Sequence, residues 1–161
     1  MADWRKLRIA AAGLTISGAA LVGVAVHENY RGTAYLPTPQ DRPTLGFGET
    51  RGVKPGDTTT PVRALIRLQG SIGLVEQGLH GCIGTVPLTQ GEWDAYVSLA
   101  YNIGPYAFCH STLAALLHRT PPDYAGACRQ ILRWDKQAGR VLPGLAKRRR
   151  DEFQTCTGSP T

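Results

Sequence analysis

Residues His27–Thr50 read HENYRGTAYLPTPQDRPTLGFGET. Glu28 closes an apolar run. A tyrosine-bearing segment follows it, then a proline-rich turn holding one acid, Asp41, then Thr44 and the glycine-spaced strand Gly46-Phe47-Gly48. An acid at a helix end, facing an acid and a hydroxyl on a hairpin, is the arrangement that hydrolysis of a glycosidic bond requires.

Upstream, Met1–Arg8 carries Arg5, Lys6 and Arg8 against Asp3, and Ile9–Val26 contains no charge. As a helix this run would measure about 27 Å, just enough to cross a bilayer. The basic residues lie before it, which predicts an N-in, C-out orientation. Eleven of its eighteen residues are Ala, Gly, Ser or Thr, so it makes a marginal anchor, able to enter a membrane and to leave it. Two other readings compete. Gly23-Val24-Ala25 resembles a signal-peptide cleavage site, and the run could equally be a buried helix. Cleavage after Ala25 would leave Glu28 with no helix to hold it. An uncleaved export segment over 1–26, able to pack afterwards as the first helix, and a second region over 27–161 are therefore expected.

The chain has 161 residues, enough for one domain with a real core. Its hydrophobic content of 42% and charged content of 19% exclude a disordered protein. The net charge of +6 favours an anionic partner. Four cysteines, Cys82, Cys109, Cys128 and Cys156, all follow the uncharged run. Two disulfides in an oxidising compartment account for them, with three pairings open. Neither His80-x-Cys82 nor Cys109-His110 is a Cys-x-x-Cys zinc knuckle, so no metal and no cofactor are expected.

Downstream of the turn-rich segment 52–57, Thr60 as N-cap and Pro61 at the first helical position open a helix. Its apolar spacing runs to about His80, weakened by Gly70, Gly73 and Gly78. Thr89-Gln90-Gly91-Glu92 is a capping box for the next helix, which stops at Gly104-Pro105. Ser111 or Thr112 caps a short helix over 113–118. Asp123 caps another, with Ala127, Ile131 and Trp134 inward. Residues 137–143 read as a loop, and a last helix runs from Gly144 to about Cys156. The basic run Lys147–Arg150 reads as a solvated face rather than a nucleic-acid site. The layout is α+β and mostly helical: a small β-hairpin lobe, a long connecting helix and a C-terminal helical lobe.

Several ordered motifs together resemble the phage-type lysozymes of glycoside hydrolase family 24. They are His27-Glu28, Ala34-Tyr35, Pro43-Thr44-Leu45-Gly46-Phe47-Gly48, Ala100-Tyr101-Asn102-Ile103-Gly104, Ser111-Thr112-Leu113, Trp134, and Gly139 followed by Leu142-Pro143-Gly144-Leu145 and arginines. The weak anchor resembles the signal-anchor-release endolysins of that family. The resemblance implies a bilobed lysozyme fold that cleaves the β-1,4 bond between N-acetylmuramic acid and N-acetylglucosamine in peptidoglycan. Glu28 matches the family's general acid, and Thr44 the threonine that helps to hold the attacking water. The middle position departs from the pattern. The family's Asp usually lies nine residues after the Glu and six before the Thr, positions that here hold Pro37 and Thr38. Asp41, the turn's only acid, is assigned as the second carboxylate; its alternative role is to bond its own loop backbone.

Tyr101, Asn102 and Trp134 match cleft-lining, substrate-binding positions. The family fold sets the helix that carries Cys128 beside the last helix, which implies Cys128–Cys156 and leaves Cys82–Cys109. The chain is then expected to be a monomeric endolysin acting on peptidoglycan glycan strands. It would be exported and tethered to the inner membrane through residues 9–26, then released to the periplasm of a Gram-negative host. Two alternatives are a lytic transglycosylase, which uses one glutamate and no second carboxylate, and a tethered, non-catalytic peptidoglycan-binding module.

Overall fold

The structure is a computed structural model and describes residues 7–158. Arg5, Lys6 and Asp3, on which the predicted membrane orientation partly rests, lie outside the described residues. The described residues form two compact units, residues 21–74 and residues 7–20 with 75–158. Among the described residues the elements are mostly helical, with three two-stranded antiparallel sheets. That is the expected α+β composition.

The smaller unit holds the end of helix α1 (Gly18–Glu28), strands β2 (Arg31–Tyr35) and β3 (Thr44–Gly46), and the first half of α2 (Pro61–Ile83). Helix α1 stops directly after Glu28 because Asn29 takes a left-handed conformation, φ 56°, the usual way a helix ends and turns away. The hairpin pairs Arg31 with Gly46 and Tyr35 with Thr44, with a register shift between them. Gly46 has φ 65°, and a Cβ there would stand 2.8 Å from the Ala64 Cβ. Only glycine lets β3 lie this close to α2.

Helix α2 is continuous over 23 residues despite its glycines. Ala64, Leu68, Ile72, Val75, Leu79 and Ile83 are all buried at three- and four-residue spacing, and this burial outweighs the roughly 1 kcal/mol that each helical glycine costs. Gly78 is required on packing grounds. A Cβ on it would sit 2.8 Å from the Cβ of Pro105, the first residue of the short helix α4 (Pro105–Cys109). The Cys82–Cys109 disulfide ties the same two elements.

The larger unit is built on α3 (Gln90–Ile103), α5 (Thr112–Leu117), α6 (Tyr124–Ile131) and α7 (Pro143–Thr157). The caps read from sequence are present. Thr89 and Glu92 form a capping box, while Ser111 accepts from the Ala114 N–H and Asp123 from the Gly126 N–H. Pro143 opens α7, and Gly158, with φ 67°, closes it. Cys128–Cys156 joins α6 to α7, the pairing that the family resemblance implies. Trp93, Tyr96, Leu99, Phe108, Leu113 and Ile131 form the centre of this core.

Four expectations are corrected. Residues 9–17 are not helical. Ile9–Ala10 form strand β1 against β4 (Pro87–Leu88), Ala11–Gly13 make one 3-10 turn, and α1 starts only at Gly18. Among the described residues no helix is long and apolar enough to cross a membrane. Helix α6 ends at Ile131, so Trp134 sits in the turn beyond it and is half-buried. Residues 136–141 are a hairpin, β5 (Lys136–Gln137) with β6 (Arg140–Val141), turned by Ala138 and Gly139 at positive φ. The solvated basic face holds for Lys147 and Arg150, which are exposed, but not for the two residues between them. Arg148 and Arg149 are buried beside Glu152, because that acid lies four and three residues further along the same helix.

The N-terminal strap is fixed to the larger unit by buried acids. The Ile16 N–H donates to Glu76, which also accepts from the Trp93 indole N–H at 3.1 Å. Ser17 donates to Asp94 through both its N–H (2.9 Å) and its hydroxyl (2.7 Å). Arg8 lies 2.6 Å from Glu92 and stacks on the Tyr124 ring, 3.9 Å from its centroid. Each acid thereby satisfies a backbone or side-chain group that a loose strap would leave to water.

Candidate active site

Glu28, Asp41 and Thr44 all lie in the smaller unit; Tyr101, Asn102 and Trp134 lie in the larger one. Glu28 occupies the last turn of α1 and is half-buried. Gly48, with φ 86°, lies against it, and a Cβ built there would be 3.5 Å from the Glu28 Oε2. A side chain at this position would strain the backbone and crowd the carboxyl. Gly48 is thus a neighbour of Glu28, and its signal in the chain is the Gly46-Phe47-Gly48 spacing.

Thr44 begins β3 and is 6% exposed. Its hydroxyl donates to the Arg42 carbonyl at 3.1 Å, which fixes the rotamer and leaves the oxygen's lone pairs to accept. Beyond Gly46, Phe47 packs on Tyr30 with ring centroids 5.5 Å apart, and the Tyr30 hydroxyl donates to the Thr59 carbonyl at 2.8 Å. These contacts brace the segment that leads from β3 to Gly48.

Asp41 is exposed in the eight-residue connection between β2 and β3. Its backbone N–H donates to the Thr38 carbonyl at 3.0 Å and closes a turn. That bond is a main-chain one. Tyr101 and Asn102 stand in the last turn of α3, Tyr101 half-buried and Asn102 exposed. Among the described residues no group of three or more metal-ligating side chains is assembled, and all four cysteines are in disulfides.

Glu28 thus ends a helix beside a glycine and shares one small unit with Thr44 and Asp41; a paired acid and carboxylate are the groups that glycosidic hydrolysis uses. The chain belongs to the phage lysozyme family, whose model it matches over residues 25–152. It is 40% identical over 141 residues to the endolysin of Acyrthosiphon pisum secondary endosymbiont phage 1, covering 85% of this chain and 94% of that one. It is 28% identical to the SAR-endolysin of Enterobacteria phage P21, covering 94% of each. The chain spans about half the length of another relative, the Bacillus phage B103 endolysin, of which 52% is matched. Among solved structures, a mutant of P22 lysozyme superimposes with a TM-score of 0.78 at 31% identity, covering 89% of this chain and 99% of that one. The fold is that of the phage lysozymes.

Proposed function

We propose that this chain is an endolysin, a muramidase that hydrolyses the β-1,4 bond between N-acetylmuramic acid and N-acetylglucosamine in peptidoglycan to lyse the host cell. The observation that carries the reading is Glu28 at the end of α1, set against Gly48 and sharing its unit with Thr44. Glu28 gives its proton to the glycosidic oxygen as the C–O bond breaks. Water adds to the anomeric carbon and loses its proton to the Asp41 carboxylate, while the Thr44 hydroxyl helps to hold that water. The products are a free reducing end on muramic acid and a 4-hydroxyl on N-acetylglucosamine. Tyr101, Asn102 and Trp134 contribute to glycan binding. No cofactor or nucleic acid enters the reaction, and the enzyme acts as a monomer.

The chemistry is tested by mass spectrometry of digested peptidoglycan. Reducing muramic ends are expected; anhydro-muramic ends would assign a transglycosylase instead, and no products at all would leave a binding module. The role of Asp41 has its own test. Because the side chain is exposed, Asp41→Asn should leave thermal stability unchanged and lower kcat by at least about a hundredfold, the scale of losing one general base. Unchanged turnover would remove Asp41 from the mechanism.

Delivery follows from the N-terminus. Residues 9–26 tether the exported chain to the inner membrane, and on release to the periplasm of a Gram-negative host they fold as the strap and α1. The uncharged run, the two disulfides and the likeness to a SAR-endolysin support this reading. Signal-peptide cleavage after Ala25 would instead cut inside α1.

A further inference from the structure

Folding leaves one large apolar face of the smaller unit uncovered. An open groove of about 510 Å³ is lined by α1 through Val22 and Val26, by Tyr30 and Phe47, and by the start of α2 through Val62 and Leu65. Val26 is 71% exposed, Val62 69% and Ile66 63%. Val62 and Ile66 are four residues apart and therefore neighbours on the helix surface, with Arg63 and Arg67 directly beside them. Between Pro61 and Leu74 helix α2 carries these two arginines and no acid, and both are exposed. An exposed apolar strip flanked by cations on a helix has the composition of an interfacial membrane contact.

We infer that this face seats the folded enzyme on an anionic phospholipid surface. Two observations select lipid as the occupant. The arginines complement anionic headgroups, in keeping with the chain's net charge of +6. The groove wall is also continuous with the uncharged segment, since Val22 and Val26 belong to it and stay exposed once α1 has formed. The inference deepens the proposed delivery route: a lysozyme that has left the bilayer keeps a weak, reversible affinity for its surface. Val62 and Ile66 lie outside residues 9–26, so the two readings can fail separately.

The test uses the full chain, purified in water-soluble form, in sedimentation with vesicles of phosphatidylethanolamine and phosphatidylglycerol, against phosphatidylcholine alone. Wild type is expected to pellet with the anionic vesicles, to be stripped by raised salt or alkaline carbonate, and to bind phosphatidylcholine less. The double variant Val62→Asp/Ile66→Asp should bind at least about tenfold more weakly, with unchanged thermal midpoint and unchanged activity on purified peptidoglycan. Equal binding by wild type and variant overturns this face and leaves insertion through residues 9–26 standing. Equal binding to both lipids, or no binding, overturns it as well. A lipid-independent dimer that the double variant dissociates would assign the face to a second copy instead.

Discussion

Glu28→Gln lowers peptidoglycan turnover by roughly 10²–10⁴-fold, the range of a lost general acid, and permeabilised cells treated with the variant stay intact. Glutamine keeps the volume and the planar head of the side chain, so the packing against Gly48 is preserved and the thermal midpoint should not move. What it loses is the transferable proton. Glycosidic cleavage without that proton must expel an alkoxide, and no other acid shares the end of α1. The measurement pairs a turbidity assay with a thermal melt. Lysis at the wild-type rate would remove Glu28 from the chemistry. The substitution does not distinguish a hydrolase from a transglycosylase, since both protonate the leaving oxygen from one glutamate. It does exclude a binding module, whose function would survive it, and the product ends then decide between the two enzymes.

Elements whose determinants are local could be read from the chain. Thr89 with Glu92, Ser111 and Asp123 cap where their side chains reach N–H groups three residues on, and Gly104-Pro105 stops a helix for backbone reasons alone. The disulfide pairing was accessible through the family resemblance. The strap over residues 8–17 was not legible, because its partners are acids 60 to 84 residues away. A run of small uncharged residues reads the same whether bilayer or buried carboxylates satisfy its backbone. Ala138-Gly139 hid a hairpin because alanine at positive φ carries no turn signature. Gly48 was visible as a residue but not as a neighbour of Glu28, which is twenty positions away in the chain.

The basic run of α7 misled for a physical reason that also makes it the most sensitive point of the core. Four consecutive cations point around the whole helix, so some must face inward, and whether they can depends on the acids that accompany them. Glu152 supplies that acid. Its Oε1 accepts from the Ser98 hydroxyl at 2.7 Å, from Arg148 Nε at 3.2 Å and from Arg149 Nη2 at 3.0 Å, and its Oε2 lies 2.8 Å from Arg149 Nε. Burial pushes the Glu152 carboxyl up and the Arg149 guanidinium down, and each is opposed by the charge of the other. Glu152→Ala removes the carboxylate that both arginines contact and leaves Arg149, 0% exposed, beside a second buried guanidinium. Breaking a buried pair in this way costs about 3–5 kcal/mol. For a domain of this size that lowers the melting temperature by roughly 6–20 °C. Asp151→Ala, which removes the exposed Lys147–Asp151 pair one residue earlier on the same helix, should cost less than about 1 kcal/mol. Thermal melts of the two variants with disulfides intact provide the comparison. Similar small losses in both would mean that water reaches the Arg148–Arg149–Glu152 cluster and screens its charges.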